Sequence, residues 1–233
     1  MAICFINFLK SRIKLKWYHK GVHILIHIFN RNKRVSVVSQ RTKDDIINAL
    51  WFDLNEKNFI GSEGTIERAI RDDYLPHFTH FGSRRGIIGN TYWTENALQN
   101  IEKAKRVIRV KPNLSKEEKL QHEHIVPRNK ICDTLLNSRG EVYFTKNFVS
   151  DILTYYAIGV TITKKEHDLL RKDDMPDDFY DVNNMEYFYN PWARYKLVPE
   201  IKVFQVSWVK IGKEYRDYTI GELVDYSKWN WRH

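Results

Sequence analysis

Apolar residues recur at helical spacing in "RTKDDIINALWFDL" (41–54), where Ile46, Ile47, Leu50 and Trp51 form one stripe. Thr42 can cap that helix, and Asp44 and Asp45 suit its positive end. The spacing predicts a second helix over "GSEGTIERAIRDDYL" (61–75) and a third over "WTENALQNIEKAKRVIRV" (93–110), the latter with Thr94 as cap. Between them "HFGSRRGIIGNTY", with three glycines, reads as a loop or hairpin. Ser115 and Glu118 make a capping box for a short helix to about Leu120, and "NKICDTLLNS" and "TKNFVSDILTYY" are helical by their spacing. The pattern then changes. "AIGVTI" reads as a short buried strand and "IKVFQVSWV" alternates as a half-buried one. "TKKEHDLLRK" returns to helix with a second capping box, Thr163 and Glu166. "RKDDMPDDFYDVNN" is a loop, "NPWARYK" a helix capped by Asn190 with Pro191 at its first position, and Thr219 with Glu222 predicts a last short helix. The expected architecture is α+β: a basic arm over 1–41, a mainly helical basic region over 42–111, and a region over 112–233 that holds the strands.

Composition narrows the partners. Hydrophobic residues make up 42% of the 233 positions, enough for a sizeable core. The formal net charge of +9 points to a polyanion, most often nucleic acid. Arg84 and Arg85 in the Gly-flanked turn, with Lys103, Lys105, Arg106 and Arg109 along the expected third helix, are the candidate phosphate contacts. The first 34 residues mix apolar clusters with basic ones, and no apolar run reaches the roughly 18 residues of a membrane span. Cys4 and Cys132 form no CxxC pair, which argues against a disulfide framework and fits a reducing cytoplasm.

The densest chemistry lies in "LQHEHIVPRN" (120–129). In a strand, His122 and His124 share one face and Glu123 takes the other. A bend at the strand end can then bring neighbouring side chains to one site, and Pro127 favours such an end. His167, in the first turn of the helix after "AIGVTI", is the freer side chain there, because capping engages Glu166.

"EHIVPRN" resembles the first strand of the HNH, or ββα-metal, endonuclease family, and "VTITKKEHDLL" resembles that family's second strand and helix. The likeness covers about residues 119–172. It implies an elaborated ββα-metal nuclease core, with His124 as general base, Glu123 and His167 as metal ligands, and Arg128 steadying the phosphate. It also implies a divalent cofactor, Mg²⁺ first with Mn²⁺ or Zn²⁺ as alternatives, DNA as partner, and a setting in restriction or phage defence. The chemistry agrees: a neutral imidazole can serve as base near neutral pH, and a carboxylate with an imidazole can hold a divalent cation while leaving positions open. The chain departs from the pattern in the 43 positions between His124 and His167, in lacking cysteine pairs, and in its middle Asn, for which Asn129, Asn137 and Asn147 all qualify. A non-catalytic nucleic-acid-binding protein and a ribonuclease toxin are the alternative readings. A protein partner or a homo-oligomer stays open.

Overall fold

The computed structural model describes residues 42–55, 63–81, 83, 86–170, 174–181, 183, 184 and 186–227. The expected basic arm, Arg84 and Arg85, and the end of the aromatic tail lie outside the described residues.

Helix α1 (Lys43–Asn55) begins as its sequence predicts. The Thr42 hydroxyl accepts from the Asp45 N–H at 3.1 Å, and the Asp45 carboxylate accepts from the Thr42 N–H at 2.8 Å. Ile46, Ile47, Leu50 and Leu54 bury its apolar stripe. The second expected helix is longer and broken. It runs as α2 (Glu63–Ala69), a π turn (Ile70–Tyr74) and α3 (Leu75–Thr79). Pro76 has no N–H, so a regular α ladder cannot run through it, and the π turn takes up the mismatch.

The expected third helix is not one. It divides into β1 (Tyr92–Thr94), a single turn α4 (Glu95–Leu98) and a hairpin of β2 (Ile101–Ala104) and β3 (Val107–Val110). Thr94 does cap α4, accepting from the Ala97 N–H at 3.2 Å. Beyond it, β-branched Val107, Ile108 and Val110 favour extended backbone, and Lys105 and Arg106, both at positive φ, make the two-residue hairpin turn. The Ser115–Glu118 capping box forms, with both bonds present, around a turn rather than a helix.

Next come β4 (Leu120–His124), α5 (Arg128–Asn137), α6 (Lys146–Tyr156), β5 (Gly159–Thr163), α7 (Lys164–Leu169) and α8 (Ala193–Lys196). The long hairpin β6 (Val203–Ile211) and β7 (Glu214–Leu223) closes the described chain. The last short helix expected at Thr219 is therefore strand: β7 pairs with β6 along its length, and that partner outweighs a local capping signature.

The chain is α+β. Its main sheet has the order β4-β5-β1-β6-β7, with β1 parallel to β5 and the other neighbours antiparallel. Because β1 lies at the centre of a sheet whose other strands follow residue 112, residue 111 does not divide the fold. β4 and β5 lie antiparallel with α5 and α6 inserted between them, and α7 follows β5 directly. α1, α2, α3, α5 and α6 contribute to one apolar core with β5, while β1, β2, β3 and β6 contribute to a second, smaller one. Among the described residues no helix is long and apolar enough to cross a membrane.

Candidate functional site

β4 presents two clusters, one on each face, at the end where Ile125 and Val126 turn inward and Pro127 opens α5.

On one face lies Glu123, 8% exposed. Its Oε2 accepts from His167 Nδ1 at 2.9 Å, and its Oε1 accepts from Arg194 Nη1 at 2.8 Å. The contact with His167 follows from one tertiary and one local feature. Antiparallel pairing sets the end of β5 beside Leu120, and the Thr163–Glu166 capping box there starts α7, whose His167 reaches Glu123. Arg194 is what the sequence reading missed. Its side chain is fully buried, and the same Nη1 also donates to the His124 carbonyl at 3.1 Å. The available signal was an arginine flanked by Trp192, Ala193 and Tyr195 in "NPWARYK", because a charge among apolar positions that become buried requires a partner. The Tyr195 hydroxyl is buried without a hydrogen-bond partner, and burial, then the nearby Glu123 charge, raises its pKa well above the ordinary tyrosine range.

On the other face His122 and His124 stand edge to face, 4.9 Å between centroids, and His80 adds a third ring 4.4 Å from His122. His80 directly follows α3 and was not among the expected site residues. The His122 ring packs over Gly159 of β5, the residue paired with His124, where a Cβ would sit 2.0 Å from the ring, so only glycine admits it there. Its Nδ1 donates to the Gly86 carbonyl at 2.7 Å, which leaves Nε2 bare, buried and without a hydrogen-bond partner. Burial pushes the His122 pKa down to about 4, helped by His80. His124 is also held well below the usual histidine range, by burial and then by His122 and Arg128. Both imidazoles are thus neutral at physiological pH. Arg128 is exposed, donates from Nη1 to the Arg71 carbonyl at 3.1 Å, and lies close enough to disfavour protonation of His80, His122 and His124.

The expected ligands Glu123 and His167 thus meet, and His124 ends the same strand on the opposite face. Among the described residues no group of three or more His, Cys, Asp or Glu side chains converges on a metal position. The pair by itself suits a hard divalent cation that keeps water or phosphate oxygen in its other positions. Direct ligation by both atoms requires the Nδ1 proton now shared with Glu123 to leave. The unpartnered Tyr195 hydroxyl near the carboxylate marks a place where a further polar group would be satisfied.

The basic candidates lie on a hairpin rather than a helix. Lys103 pairs with Asp217 at 2.7 Å and Arg109 with Glu102 at 2.6 Å, while Lys105 and Arg106 occupy the exposed turn. Of the three candidate middle asparagines, Asn137 and Asn147 are exposed on α5 and α6, and Asn129 lies in the first turn of α5. No protein-family model, curated protein or solved structure matches the chain.

Proposed function

We propose that the chain is a metal-dependent endonuclease of the HNH type that hydrolyses phosphodiester bonds in DNA, as a cytoplasmic protein in restriction or phage defence. The observation that carries this reading is the contact of Glu123 with His167, 44 positions away, on the strand that His124 ends. His124, neutral and at the strand end, takes the proton from the attacking water. Glu123 and His167 hold one divalent cation, Mg²⁺ first, and Arg194 fixes the carboxylate. The cation, when bound, stabilises charge on the phosphate and the leaving oxygen. Arg128 offers a guanidinium to the phosphate from the histidine face.

One observation favours a second reading. Arg194 already neutralises Glu123, so the same network suits a structural ion pair in a non-catalytic nucleic-acid-binding protein. Incubation with supercoiled plasmid in Mg²⁺, Mn²⁺ or EDTA separates the two. Nicked or linear product with metal and none with EDTA is expected. Binding without cleavage of DNA or RNA under any cation overturns the nuclease reading, and cleavage of RNA with DNA spared moves the substrate to RNA.

A further inference from the structure

Thr79 and His124 come from segments 45 positions apart, and Thr79 Oγ1 lies 3.3 Å from His124 Nε2. A hydroxyl has one proton and two lone pairs. The Thr79 oxygen lies 3.0 Å from the Leu75 carbonyl and 3.4 Å from the Pro76 carbonyl, both of which can only accept. Its proton is therefore spent within α3, in the back-bond that Thr makes to the preceding helical turn. A lone pair is what it turns to His124. Thr79 is held in that position: it is 8% exposed and ends a helix anchored in the core by Leu75 and Phe78.

We propose that Thr79 is a positioning residue that fixes His124 in the Nε2–H tautomer and so makes Nδ1 the atom that accepts a proton. Nε2 must donate for the contact to be a hydrogen bond, and a neutral imidazole carries only one N–H. His122 is the internal contrast, because a carbonyl faces its Nδ1, so Nδ1 carries the proton and Nε2 is bare. Two histidines on one face of one strand thus hold opposite tautomers, set by groups outside the strand. The role of Nδ1 in catalysis rests on the reading of His124 as general base; the tautomer itself does not.

The test is nitrogen NMR of the full chain labelled with ¹⁵N-histidine, metal-free at pH 7.5, with the His124 signals assigned by their loss in His124→Gln. The expected wild-type result is a protonated, pyrrole-type Nε2 and a bare, pyridine-type Nδ1 at His124, with the reverse at His122. Thr79→Val keeps the side-chain shape and removes the acceptor, so Nδ1 protonation at His124 should rise. Thr79→Ser should restore the wild-type pattern. On plasmid, Thr79→Val should lower kcat by roughly 10-fold or more, within the ~10²–10⁴-fold that a general base contributes, and Thr79→Ser should recover most of it. A wild-type His124 protonated at Nδ1, or a Thr79→Val spectrum unchanged from wild type, overturns the proposal. The wild-type spectrum is decisive even if the valine variant does not fold. The spectra also need no cleavage, so failure of the nuclease reading shows on plasmid alone.

Discussion

Arg194 and Glu123 form an ion pair with the guanidinium fully buried and the carboxylate side chain 11% exposed, at 2.8 Å. Removing one partner of such a pair leaves an uncompensated buried charge, at a cost of about 3–5 kcal/mol. Arg194→Met should therefore lower the unfolding free energy by that order in urea titrations. Adding Glu123→Gln removes the stranded charge, so the double variant should be more stable than Arg194→Met alone. A double variant that is less stable means Glu123 is held by groups other than Arg194.

If the chain cleaves DNA as proposed, the two faces of β4 should contribute to cleavage separably. His124→Ala should lower the cleavage rate by about 10²–10⁴-fold and leave divalent-cation binding near wild type. His167→Ala removes an expected ligand, and its Mn²⁺ affinity by calorimetry should fall by at least about 10-fold. Near-wild-type cleavage by folded His124→Ala excludes it as the base. Unchanged Mn²⁺ affinity in His167→Ala means that the cation binds elsewhere.

His122 ties stability to pH. Its folded pKa is about 4 against 6.5 for an exposed histidine, so the folded state disfavours its charged form. A lowered pKa contributes stability that is complete above about pH 6.5 and lost as pH falls through about 4. Burial lowers the pKa of His80 and His124 as well, and both add to the same slope. Urea titrations between pH 7.5 and 4.5 should show falling stability. His122→Gln should flatten that dependence in part, and an equal slope in both proteins would show that His122 titrates normally.

What the sequence reveals of this site is what local signals govern. The β5–α7 junction is set by a capping box within four residues, and the apolar pair Ile125 and Val126 favours a strand through 120–124; the β4–β5 pairing then brings His167 to Glu123. Arg194 reaches Glu123 from 71 positions away, and Thr79 reaches His124 from the far side of a π turn. Tertiary pairing sets those contacts, and no local periodicity carries them. The same holds for β7, where Thr219 and Glu222 carry a helix-start signature inside a strand that β6 imposes. In the β2–β3 hairpin the charged residues allow a helical reading, and burial of Ile101 and Ile108 with a two-residue turn decides against it.

The hairpin also redistributes the basic surface. Lys103 and Arg109 each face a carboxylate, Asp217 and Glu102, so their charge is offset locally. Lys105 and Arg106 stand in the exposed turn, with positive φ at both, and no ion pair joins either to a carboxylate among the described residues. If duplex DNA contacts this hairpin, the turn carries the contact. Each phosphate neutralised contributes about 0.9 to the slope of log affinity against log salt. Lys105→Ala with Arg106→Ala should therefore weaken binding to unrelated sequences alike and flatten the slope by about 2. Lys103→Ala with Arg109→Ala should change the slope less, because those side chains must leave a partner to reach phosphate. Anisotropy titrations at several salt concentrations measure both. An unchanged slope in Lys105→Ala with Arg106→Ala means that the hairpin turn makes no phosphate contact.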